Sequence, residues 1–156
     1  MSTPGVSLDT SVLLRLLVAE PHELFLVASK FLHEQTTAHV MVHVSDLVLA
    51  EAYFALQTSY QFSKAKALTT LADFVQSGHV TVSPAATTTL ALPDLTTAKP
   101  GFVDRLIHGA SQSAGHTLIT FEKTAKKLPA TTVLGRMKDE SMQTTLPLEA
   151  PATAPS

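Results

Sequence analysis

Short apolar runs alternate with amphipathic stretches along this chain, and that alternation restricts the possible folds more than any single residue does. Val6 to Leu8 is a brief apolar segment closing on Asp9, and from Ser11 to Val18 the residues Val12, Leu13, Leu16 and Leu17 share one helical face. A second helix is expected from His22 to Glu34, with Pro21 suited to its first turn and Leu24, Val27, Ala28, Phe31 and Leu32 at helical spacing. Val40 to Val44 reads as a strand, and Ser45 caps a helix from Asp46 to about Tyr60. Ser63 caps another, with Ala67, Leu68, Leu71, Phe74 and Val75 on one face and Gly78 at its C-terminal end.

The second half repeats the pattern. His79 to Val82 reads as a strand, and the Thr/Ala/Leu-rich stretch from Pro84 to Leu95 as a short helix broken at Pro93. Phe102 to Ala114 is a helix ending at Gly115, Thr117 to Thr120 a strand, Glu122 to Lys127 a short helix and Thr131 to Leu134 a last strand. Strands alternating with helices predict an α/β fold, a parallel sheet wrapped by helices. One domain over residues 1–137 is expected, followed by a Thr/Pro/Ala-rich flexible tail over 138–156.

Four carboxylates interrupt segments otherwise rich in apolar residues: Asp9, Glu51, Asp104 and Glu122. Asp9 follows a strand and precedes a helix, so it suits a helix N-cap, but the C-terminal end of a parallel strand also faces the crevice where α/β sheets bind ligands. Thr10 and Ser11 beside it offer hydroxyls that orient a carboxylate. Glu51 has Leu47, Val48, Phe54 and Ala55 as its helical neighbours, and none can pair with it. The spacing leaves a buried protonated acid, a basic partner from elsewhere, or a metal. Asp104 falls in the first turn of its helix, where the macrodipole favours a negative charge; Arg105 follows it and His108 lies one turn on, placed as a second partner. Glu122 comes two residues after the strand ending at Thr120.

Acids drawn toward an apolar interior must be paired, protonated or metal-bound, and oxygen-only ligands select a hard cation such as magnesium or manganese. Other chemistries lack their residues. His39 and His43 are four apart in an extended segment and have no third ligand for zinc, and there is no Gly-rich phosphate loop and no nucleophile elbow. The chain has no cysteine, which excludes disulfides and thiolate metal sites and suits the cytosol. Asp9 and Arg15 interrupt the first apolar run, unlike a secretory signal, and no stretch is long enough to span a bilayer, so a cytoplasmic protein is expected. A net charge of -2 makes it no general polyanion binder, and only 15% of its residues are charged, so part of its surface is expected to be covered by a partner.

Four blocks, LDTSVLLRLL at 8–17, SDLVLAEAYFAL at 45–56, FVDRLIHGASQSAGHTLITFEK at 102–123 and LPATTVL at 128–134, together resemble the PIN-domain family, and within it toxins of the VapC type. The resemblance implies a three-layer α/β/α fold with a central parallel sheet of four to five strands. Its acids gather at one sheet edge and hold Mg2+ or Mn2+ for endoribonucleolytic cleavage. Asp9 matches the first family aspartate, with Thr10 and Ser11 completing a hydroxyl-bearing motif; Glu51 matches the helix glutamate and Asp104 the third acid. Glu122 stands where relatives more often have aspartate, with Thr120 in support, and Thr124 where many carry another acid. The resemblance further implies an RNA substrate, a cognate antitoxin and a homodimer, and Arg15, Arg105, Lys123, Lys126 and Lys127 are the basic residues placed to guide an RNA backbone. A catalytically silent PIN-like module that binds RNA or protein is the alternative, and a phosphatase with Asp9 as nucleophile is disfavoured because no second aspartate follows two residues later.

Overall fold

The computed structural model describes residues 4–135; the expected tail lies outside them. In chain order the elements are β1 (Val6–Ser7), α1 (Thr10–Val18), α2 (His22–Thr37), β2 (Val42–His43), α3 (Asp46–Thr58), α4 (Lys64–Gln76), α5 (Pro84–Leu90), α6 (Phe102–Ser113), β3 (Leu118–Thr120), a 3-10 turn (Lys123–Lys127) and β4 (Thr131–Val133).

The helix starts follow from their caps. Ser45, Ser63 and Ser83 each accept a hydrogen bond from the N–H three residues on, at 3.2, 3.1 and 3.1 Å. Each such cap stabilises its helix by about 1 kcal/mol. Ser83 also donates to Asp46 Oδ1 at 2.7 Å, which ties the start of α5 to the first turn of α3. Pro84 follows at the first position of α5, where its missing N–H is harmless.

The core fills the space between α1, α3, α4 and the start of α6. Leu13, Leu49, Leu56, Leu71, Val44 and Phe102 are its largest fully buried side chains. Tyr53 meets Phe102 edge to face with ring centroids 5.2 Å apart, which docks the start of α6 on α3. At Gly109 an added Cβ would come 2.2 Å from Ala85 Cβ, so α6 lies against α5 at a distance only glycine permits. His108 is buried and its Nε2–H donates to the Pro129 carbonyl at 2.7 Å, anchoring the loop that leads into β4. It therefore holds a loop instead of serving Asp104 as a second partner.

The expected central sheet of four to five strands is not formed among the described residues. Two parallel pairs stand in its place. β1 pairs with β2, Val6 opposite Val42 and Ser7 opposite His43, and β3 pairs with β4, Leu118 through Thr120 opposite Thr131 through Val133. The segment expected as a strand from His79 to Val82 contributes one bridge, Thr81 to His43, because Gly78 at φ 84° turns the chain just before it and Ser83 starts a helix just after. The loop into β4 is tied to α6 through His108 and Pro129, and α6 lies against α5.

Candidate active site

All four acids are exposed to solvent, against the expectation of acids in a buried interior. For Glu51 the reason lies in the face it occupies: its neighbours Leu47 and Phe54 are themselves 71% and 52% exposed. The apolar residues around Glu51 therefore make a surface patch, while the opposite face of α3 buries Leu49, Ala52, Tyr53 and Leu56.

Asp9 is the N-cap of α1 and sits one residue beyond the buried Leu8 that closes β1. Its Oδ1 accepts from the Ser11 hydroxyl at 2.6 Å, the Ser11 N–H at 3.0 Å and the Val12 N–H at 3.3 Å. The Ser11 hydroxyl first, then the Val12 N–H, hold the Asp9 carboxyl below its ordinary value. These bonds all fall on one oxygen. The next residue, Thr10, donates its hydroxyl to Glu51 Oε2 at 2.9 Å, a contact between α1 and α3 across 41 residues of sequence.

Glu122 caps the 3-10 turn in the same manner. Its Oε1 accepts from the Thr124 hydroxyl at 2.8 Å and the Thr124 N–H at 3.0 Å, and its own N–H donates to Thr120 Oγ1 at 2.9 Å. The Thr124 hydroxyl and N–H hold its carboxyl below the ordinary glutamate value, with a smaller contribution from the Lys99 charge. Thr124 and Thr120 thus orient this acid from either side. The contribution of Lys99 had no signal in the sequence, since it comes from 23 residues upstream.

Asp104 is exposed in the first turn of α6, whose N-cap Gly101 supplies no side-chain bond, so the carboxylate faces a helix start without a capping oxygen. Among the described residues no three His, Asp or Glu side chains are gathered into one cation-holding group. The structure joins Asp9 to Glu51 through Thr10 and orients Glu122 separately. By chemistry the set suits a hard divalent cation: every donor is an oxygen, and two of the carboxylates are held ionised.

The basic residues divide into engaged and free. Arg15 donates from one guanidinium nitrogen to the Glu20 carbonyl at 2.9 Å and the Tyr60 hydroxyl at 3.0 Å, and Arg105 Nε donates to the Pro100 carbonyl at 2.7 Å. Lys123, Lys126 and Lys127 are exposed on the 3-10 turn. Beside Asp9 and Arg15 runs a groove of about 680 Å³ whose far wall is Leu24, Val27, Ala28 and Phe31 of α2. All four stand at the helical spacing read from the sequence, and of them only Ala28 is buried; the others line this groove.

Short parallel strands whose C-terminal ends lead into carboxylates, backed by helices, define an α/β protein built to present acids at strand ends. The family model of the PIN domain matches residues 6–130, and the chain belongs to the PIN-domain family. PIN domains are generally metal-dependent nucleases and bind RNA. No curated protein and no solved structure matches the chain. No helix among the described residues is long and apolar enough to cross a membrane.

Proposed function

We propose that this protein is an Mg2+- or Mn2+-dependent endoribonuclease acting as the toxin of a type II toxin–antitoxin pair. The observation that carries the reading is the Asp9–Thr10–Glu51 arrangement: an ionised carboxylate at the end of β1, with the adjacent hydroxyl holding a second acid. Asp9, Glu51, Asp104 and Glu122 are the residues that would hold the cation. Bound there, it would lower the pKa of a water and offset charge growing on the scissile phosphate.

The chain's own residues supply position and charge. Ser11 and Val12 fix one Asp9 oxygen and leave the other free to ligate, and Thr10 does the same for Glu51. Thr124 and Thr120 set the direction of Glu122. Lys123, Lys126 and Lys127 offer mobile positive charge to an RNA backbone, whereas Arg15 and Arg105 already serve backbone carbonyls. The groove beside Asp9, with Leu24, Val27 and Phe31 exposed along it, supports a partner helix with an apolar face, as a cognate antitoxin would present.

Cleavage of a structured RNA pool by wild type and Asp104→Asn, each with magnesium, manganese or chelator, tests the reading. Only wild type with metal is expected to cut, with both proteins unfolding cooperatively; full activity of Asp104→Asn removes the proposed site. The incomplete gathering of the acids favours a second reading, a module that binds RNA without cutting it. Retained RNA binding with no cleavage in either metal would establish it.

A further inference from the structure

A second cavity, of about 340 Å³, begins one residue past Asp104. Arg105, His108 and Gln112 recur at helical spacing along one wall of it, with Thr88 and Thr89 of α5 and Pro129 opposite. None of the four acids lines it.

Its polar groups are held in place. Arg105 is half-buried and uses Nε on the Pro100 carbonyl at 2.7 Å, so the guanidinium is fixed while its two terminal nitrogens have no hydrogen bond and no ion pair among the described residues. His108, 8% exposed, gives Nε2–H to the Pro129 carbonyl, which leaves Nδ1 as an acceptor. Nδ1 has no hydrogen bond of its own, yet among the described residues no buried side-chain polar atom is left unpaired. Nδ1 therefore opens to the cavity. Thr89, 5% exposed, lines the same space with its hydroxyl.

These groups select by pattern. A carboxylate or a phosphate offers acceptors alone, so it would satisfy Arg105 and set a lone pair against His108 Nδ1. A fitting ligand carries two neighbouring acceptors for the arginine fork and a donor beside them. Guanine has that order, with N7 and O6 on one edge and N1–H and the 2-amino group following. Adenine and uracil alternate donor and acceptor instead. Cytosine has the order on a single ring, but the wall from Arg105 to Gln112 runs about 10 Å, a length that two fused rings fill. Leu128 and Pro129 add apolar surface for the ring faces.

We propose that this cavity takes one unpaired guanine base of the RNA substrate, with Arg105 and His108 reading its edge. The proposal rests on the RNA-cleaving reading for its substrate and adds where the strand is gripped: because Arg105 follows Asp104, the base it holds belongs to a nucleotide close to the scissile phosphate.

Binding without cleavage tests it. In chelator, a short oligouridine carrying one guanosine is expected to bind wild type about tenfold more tightly than the same strand carrying adenosine or cytidine, and to shift the His108 Nδ1 resonance in 15N NMR. Arg105→Lys keeps the charge and loses the fork, so the guanosine preference should vanish while the adenosine strand binds as before. Gln112→Phe, at an exposed position, narrows the cavity with Arg105 intact and should also remove the preference at an unchanged melting temperature. Equal affinity of wild type for the three strands, or a preference that survives both substitutions, overturns the proposal. Free guanosine monophosphate bound as tightly as the strand would assign the cavity to a soluble nucleotide, and an acidic peptide bound there in place of RNA would assign it to a protein; either overturns the RNA base. A guanosine preference with no cleavage in magnesium or manganese would keep the cavity's role and remove the nuclease reading beneath it.

Discussion

Asp9 uses one carboxylate oxygen to start a helix and leaves the other without a hydrogen bond among the described residues, and Glu122 repeats the arrangement at the 3-10 turn. Because hydrogen bonds lower both folded pKa values, the stabilisation they bring is fully present above the ordinary carboxylate range. It is lost as pH falls through the folded values. Thr124→Val removes the largest cause at Glu122 and is expected to raise that pKa toward the ordinary glutamate value, read from carboxyl carbon shifts in an NMR titration; Asp9 should not move. The N-cap role of Asp9 and the hydroxyls after it were legible in sequence because both depend on neighbours two or three residues away. The exposure of Glu51 was not, since helical spacing names the neighbours without saying whether that face is covered.

At the scale of elements, serine caps and glycines placed the helices nearly as the residue pattern predicts, while the strands came out shorter. Helix hydrogen bonds are local, whereas a strand's bonds belong to whichever segment lies beside it. The joint between α5 and α6 depends on Gly109 in particular. Gly109→Ala would drive a methyl into Ala85, and such overpacking is expected to destabilise the fold by about 1–3 kcal/mol. A lower urea midpoint at unchanged slope checks it. A midpoint equal to wild type would mean that the helices part freely.

For the whole molecule, the test of a resident cation is linkage. A ligand that binds only the folded state raises stability by about 2.7 kcal/mol at one hundred times its dissociation constant. Adding Mn2+ is therefore expected to raise the melting temperature of wild type, and Glu51→Gln should lose most of that rise while unfolding at a similar temperature without metal, because Glu51 is exposed. An equal rise in both proteins would place the ion elsewhere.

By itself the sequence determined the helix positions, nearly to the residue, and which charged residues follow the strands, all of which follow from period, caps and composition over a few neighbouring residues. It also carried the family blocks from Asp9 to Glu122. Tertiary structure alone decided that β1 and β3 lie in separate sheets, that α2 turns Leu24, Val27 and Phe31 to a groove, and that Thr10 reaches Glu51. Each of these is a contact between segments far apart in the chain, and no local rule chooses between one apolar face or strand edge and another of similar composition.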